Sequence, residues 1–237
     1  MTAAHCGTVS ALTLGLGAAT AIPEAKGTLP KALFAKGNVS AKLRHRLAVE
    51  IDSIVMLALM RPANAHVAAG SGKVPEILVI GLRLAAGMRD IPAEIVDLIA
   101  GQRRSGIVFA CIRETEHEGT VREECAFAVR RNVPVRAGHI PVTKVYAGAW
   151  RPAGESVLEP FGDTMDELWD SLCAQALLDD IDGARLDERL AARDLLARLK
   201  ADEAKLTRDH ARAKDPQTRN EIYARLHKIR AQIDAMR

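Results

Sequence analysis

The spacing of apolar residues changes character at Gly183, and that change limits the fold more than any single motif does. From Ala184 to Arg237 the chain has no glycine, one proline and apolar residues at helical intervals. Leu186, Leu190, Leu195, Leu196, Leu199 and Leu206 mark one helix over 186–213. Asp215-Pro216 then reads as a restart, with the carboxylate as cap and the proline in the first turn. Ile222, Leu226, Ile229, Ile233 and Met236 follow at steps of four, three, four and three, a heptad seam. Such helices, about 40 and 30 Å long at 1.5 Å per residue, form an antiparallel coiled-coil hairpin if the chain turns back at 214–216. A two-helix hairpin leaves apolar edges uncovered, so the five seam residues are the candidate surface for a protein partner or a second copy.

Before Gly183 the pattern is mixed, and it predicts an α+β domain over residues 1–182, joined to the helical appendage at 183–237. Ile51–Met60 is a short, nearly continuous apolar run that a preceding helix and the following Arg61-Pro62 favour as a strand. Glu76–Leu84 reads as a strand buried on both faces and central in a sheet. Ile107–Ile112, Cys125–Val129 and Val142–Ala147 add three more, giving a mixed sheet of four or five strands with flanking helices. The polar run Glu114–Glu124 reads as a hairpin connection, and residues 61–74 as loop. Helices are expected near Thr8–Leu14, after Asn38 or Ser40, and after Asp90 or Pro92 with Ile95, Leu98 and Ile99 inward. Another follows Asp163 or Thr164, where Met165, Leu168, Trp169, Leu172, Cys173 and Ala176 share one face.

Composition narrows the function. Aromatic residues make up only 3% of the chain, which argues against stacking platforms for single-stranded nucleic acid. The net charge of +3 is unevenly spread: residues 184–237 carry 14 Lys and Arg against nine Asp and Glu, and the rest 19 against 21. Opposite charges are interleaved along the tail, as on a solvated, pair-laced helix surface, with a phosphate-contacting surface as the alternative. The four cysteines have no C-x-x-C spacing, so no metal site is expected and reduced, buried thiols fit. The apolar stretch Thr8–Ile22 has no preceding Lys or Arg and is interrupted by Gly15 and Gly17, so a cytoplasmic protein is expected rather than a secreted one. No stretch is long enough to span a bilayer.

Signatures of catalysis are weak. A Mg²⁺-dependent nuclease of restriction-endonuclease type needs acidic metal ligands and a cation beside adjoining strands. Glu76, Arg83 and Lys31 are the candidates, but no Asp stands at the expected spacing and Glu-x-Lys is missing. Phosphate-binding, dinucleotide and serine-elbow motifs are all missing as well, and no cofactor is expected. His117, within Glu114-x-Glu116-His117-Glu118, fits an acidic hairpin tip better than a metal ligand. Arg103-Arg104 and Arg130-Arg131 stand at strand ends, where loop charges are usual; gathered on one sheet edge, they would contact phosphate.

Several fragments together carry a resemblance. These are Leu29-Pro30-Lys31 with Phe34, the helix leading into Ile51–Leu59, and Glu76-Ile77-Leu78-Val79. Ile107-Val108-Phe109, Trp150-Arg151-Pro152 and the terminal helices complete the set. Over about residues 29–236 the chain resembles a bacterial family, domain of unknown function four-three-nine-one. Members are often encoded beside Swi/Snf-type helicases and DNA methyltransferases, which implies a place in a DNA-processing or phage-defence-like system. Two departures stand out. The family favours Trp and Lys in the first strand, where this chain has Val55–Ala58, and polar residues after the Glu-Ile start, where it has Gly81. The combined expectation is a non-catalytic accessory or adaptor protein that docks through its C-terminal helices. Its partner would be a helicase, a methyltransferase or another copy, with any nucleic acid contact indirect. The nuclease and a homo-oligomeric scaffold are the alternatives.

Overall fold

A computed structural model describes residues 2–133 and 142–236, which divide into two compact units, one up to Ala184 and one from Arg185. The first unit opens with a two-stranded ribbon, β1 (His5–Cys6) and β2 (Val9–Ser10). The expected helix near Thr8–Leu14 is not formed. After Ser10 the chain makes hydrogen-bonded turns, such as Leu16 N–H to the Ala11 carbonyl at 2.9 Å, and Gly15 and Gly17 take positive φ. A single turn, α1 (Glu24–Gly27), leads to α2 (Ala41–Glu50), which is capped by Ser40: its hydroxyl accepts from the Leu43 N–H at 3.2 Å. Then come β3 (Ile51–Met60), the short α3 (Pro62–Ala65), β4 (Ile77–Leu84) and α4 (Ala93–Gly101). Next are the long strands β5 (Gly106–His117) and β6 (Thr120–Val133), followed by β7 (Val142–Ala147) and the two-residue β8 (Arg151–Pro152). The unit ends with α5 (Met165–Leu178).

The main sheet is mixed and has six strands, one more than expected because β8 pairs with β6 outside the main path. Its order is β3-β4-β5-β6-β7. Only β4 and β5 are parallel, and α4 supplies the crossover that a parallel pair requires. β4 is internal, as its apolar run implies: seven of its eight residues are buried. Alternation along the strands sends two sets of side chains to two faces. Leu78, Ile80, Leu82, Ile107 and Phe109 join Leu47 of α2 and Ile95, Val96 and Ile99 of α4 in one core. On the other face lie the N-terminal ribbon and α5, where a Cβ on Gly81 would meet the Cys6 Cβ at 2.5 Å and one on Gly106 would meet the Trp169 ring. Gly81 therefore makes room for the ribbon.

β5 and β6 run on where a connection was expected. Their pairing extends to His117 and Thr120, and only Glu118 and Gly119, with φ of 53° and 76°, make the turn. The outer edge of β3 is covered by the N-terminal segment through Leu29 N–H to the Ile54 carbonyl at 2.8 Å and Ile22 N–H to the Leu57 carbonyl at 3.0 Å. Thr164 begins α5 with a capping box shared with Glu167. Asp179, in the left-handed region, ends it.

The second unit holds α6 (Leu186–Arg212) and α7 (Pro216–Asp234). No helix among the described residues is long and apolar enough to cross a membrane.

Candidate functional site

In the second unit, α7 begins as the Asp-Pro pair implies. The Asp215 carboxylate accepts from the Thr218 N–H at 2.7 Å and from the Thr218 hydroxyl at 2.8 Å. Those bonds hold its pKa below the usual carboxylate value. Two contacts fix how the helices run. Arg230 Nε donates to Glu203 Oε1 at 2.7 Å, and the His210 and Tyr223 rings lie 6.1 Å apart. The contacts are one heptad apart on each helix and in opposite order, so α6 and α7 are antiparallel.

The seam residues divide into two rows. Leu226 and Ile233 are buried, at 4% and 5% exposure, as is Leu199 of α6. Ile222, Ile229 and Met236 form a second row that is only partly covered, and Met236 lies just past the end of α7. Leu206 of α6 is likewise half-buried and meets Ile229 in the floor of an open groove of about 450 Å³. Asp202, Lys205 and Asp209 form its α6 wall, and Arg225 and Lys228 its α7 wall. Among the described residues none of these five charged groups has an ion-pair partner, whereas Glu203 and Arg230 pair with each other. This wall chemistry was not among the expectations from the sequence. The signal for it was the heptad interval between Asp202 and Asp209.

The nuclease candidates in the first unit are not brought together. Glu76 precedes β4, where its carboxylate accepts from the Ser105 hydroxyl at 2.8 Å and pairs with Arg61 at 2.9 Å. Burial works against its charge, but these bonds and the charges of Arg61 and Arg103 outweigh it, so its pKa is lowered. Arg83 stands seven residues further along β4, about 23 Å away at the usual strand rise. It pairs with Glu123 at 2.7 Å, with Glu114, and with Asp52 at 4.0 Å. Glu123 also accepts from the Thr8 N–H and hydroxyl, at 2.7 and 2.8 Å. Arg83 and Glu123 thus fasten the N-terminal ribbon to the sheet. Burial opposes the Glu123 charge, but the bonds from Thr8 and Arg83 prevail and lower its pKa. Lys31 donates to the carbonyls of Ala48, at 3.0 Å, and Ile51. It closes the end of α2 instead of approaching a carboxylate.

The four arginines do share one end of the sheet, where β5 begins and β6 runs out, but they do not form one surface. Adjacent strand residues point to opposite faces. Arg130 reaches Asp97 of α4 at 2.6 Å, while Arg131 reaches Asp170 of α5 at 2.9 Å and lies over the Trp169 ring. Arg103 and Arg104 are exposed in the loop after α4. His117 is exposed near the hairpin tip.

Among the described residues, no group of three or more His, Cys, Asp or Glu is placed to hold a metal ion. All four cysteines are free and buried. Burial pushes the Cys6 thiol up to about 12 and Cys125 to about 11, which suits packing and not thiolate chemistry.

Comparison with curated proteins and with solved structures found no match. A family model described as Domain of unknown function (DUF4391) matches residues 14–233, from the N-terminal turns to the last turn of α7. By that match over nearly its whole length, the chain belongs to the DUF4391 family.

Proposed function

We propose that this chain is a non-catalytic accessory protein of a DNA-processing, defence-like assembly and that it docks through the hairpin of α6 and α7. One observation carries the reading: the row of Leu206, Ile222 and Ile229 is only half-covered and is flanked by charges that have no ion-pair partner among the described residues. Apolar side chains framed by unpaired charge are the anatomy of a protein interface, with a greasy centre and a polar rim. The occupied state of Glu76, Arg83 and Lys31 supports the non-catalytic half, since each is committed to a contact that holds the fold. The assembly is suggested by the family's resemblance-based association with helicases and methyltransferases.

The test is capture by the tagged full chain from its native host. We expect a helicase or methyltransferase to be retained, and to be lost when Ile222 and Ile229 are both replaced by Glu in a chain whose helical circular dichroism is preserved. Retention of that enzyme by the double variant would remove the docking role. DNA cleavage with Mg²⁺ or Mn²⁺ that disappears in Glu76→Ala would replace the whole reading with a nuclease.

A further inference from the structure

We propose that the occupant of the groove between α6 and α7 is the same groove of a second copy, so that two hairpins close into a four-helix bundle and each assembly carries two α+β bodies. This inference rests on the reading of the hairpin as the docking element and names what that element takes.

The argument comes from the charges on the two walls. The α6 wall has carboxylates at Asp202 and Asp209 with Lys205 between them, and the α7 wall has only cations, Arg225 and Lys228. A twofold axis can bring two such grooves face to face in two ways. With the axis across the helices, α6 meets the second copy's α6 and α7 meets its α7. The two wholly cationic α7 walls then oppose each other with no carboxylate between them, which disfavours that arrangement. With the axis along the helices, each α6 lies over the second copy's α7. The α6 wall of each copy, two carboxylates and one lysine, then meets the wholly cationic α7 wall of the other, twice over.

The helix register fits the second arrangement. The Glu203–Arg230 and His210–Tyr223 contacts put Asp209 level with Ala224, next to Arg225. They put Lys205 level with Lys228, and Asp202 level with Ala231, three residues from Lys228, or about 4.5 Å along the axis and within a lysine's reach. A twofold axis parallel to the helices preserves these levels, so Asp209 faces Arg225 across the interface, while Lys228 lies level with Lys205 and reaches along the axis to Asp202. Leu206 and Ile229 come together at its centre. An unrelated helix could fill the groove, but only a second copy is required by its own sequence to bring the matching walls in both directions.

The experiment is sedimentation velocity on the full chain and on two surface variants, D202K/D209K and R225E/K228E. The wild-type chain should sediment at twice its 25.6 kDa mass. Each variant alone sets like charge against like charge and should be monomeric, with a dimer dissociation constant raised at least about tenfold. An equal mixture restores both walls and should return to a one-to-one dimer, as should a single chain carrying all four reversals. All four sites are at the groove rim, and circular dichroism checks that each variant keeps its helices. Three results would overturn the proposal: a monomeric wild type at 100 µM, roughly the scale of weak association; variants that stay dimeric; or a mixture that fails to reassociate. A monomeric wild type that still captures a helicase or methyltransferase through Ile222 and Ile229 would reject the second copy while leaving the docking role intact.

Discussion

Gly183 marks the change in sequence pattern, and its structural role is a close approach. A Cβ there would sit 2.6 Å from the backbone carbon of Asp170 and 2.7 Å from the Ser171 nitrogen. Both are main-chain atoms of α5, so neither can swing aside. We expect Gly183→Ala to cost about 2–3 kcal/mol, the upper part of the range for overpacking, because the neighbours are rigid. Gly154→Ala, which would meet nothing within 4 Å, should cost under about 1 kcal/mol. Urea unfolding followed by tryptophan fluorescence compares the two, and equal costs would refute the close-packing argument. The Arg83–Glu123–Thr8 cluster predicts an acid response. Because the folded pKa of Glu123 is below its unfolded value, the ionised form contributes stability that is fully present above about pH 4.5, near the unfolded value. That contribution is lost as the pH falls through the folded value. Glu123→Gln should lower stability at pH 7 by about 1.5–3 kcal/mol, the range for hydrogen bonds to a charged group. It should also flatten the decline between pH 5 and pH 3. A variant as acid-sensitive as the wild type would place the responsible carboxylates elsewhere.

At the scale of elements, legibility followed the locality of the forces. Ile77–Leu84 could be read as an internal strand because its continuous apolar run records burial on both faces. The caps at Ser40, Thr164 and Asp215 were legible because each acts within three residues. The outer half of the β5–β6 hairpin was not legible. Its residues are charged, and what holds them extended is pairing across strands, including Arg113 with Glu124 at 2.8 Å. The apolar run at Thr8–Leu14 misled for the opposite reason: its burial is set by turns against the rest of the unit, not by a helical face. The contacts of Glu76 and Arg83 were not legible because their partners are distant in sequence, Ser105 for Glu76 and Glu123 for Arg83. In α7 the heptad identified the seam, but only the packing separates its closed row from its open one. That difference is measurable. Leu226→Ala, at a buried site, should destabilise the hairpin by about 2–4 kcal/mol, and Ile222→Ala, at a half-covered one, by about 1 kcal/mol or less. Hydrogen exchange of α7 amides in a chain held monomeric by D202K/D209K reads the two, and equal losses would mean that the rows are not distinct.

For the whole molecule, the two units carry different reporters. Both tryptophans, Trp150 and Trp169, are in the unit that ends at Ala184, Trp150 beneath the Arg113 guanidinium and Trp169 on α5. The unit from Arg185 has no tryptophan but holds the two longest helices, so it contributes heavily to the circular dichroism at 222 nm. A core built on a six-stranded sheet and a pair of helices joined along one seam have no reason to share one cooperative transition, and two-state behaviour is then not expected. Fluorescence and dichroism should therefore give different unfolding midpoints. If a second copy completes the helical bundle, unfolding of the helices is also a dissociation, and its midpoint rises with protein concentration by mass action. The fluorescence midpoint reports a unit that contains its own core and should not move. Raising the concentration a hundredfold should thus shift the dichroism curve upward by several degrees while the tryptophan curve stays in place. In R225E/K228E both curves should be independent of concentration. Coincident curves at every concentration would mean that the hairpin and the sheet domain unfold together, and that the helices draw their stability from the body and not from a second chain.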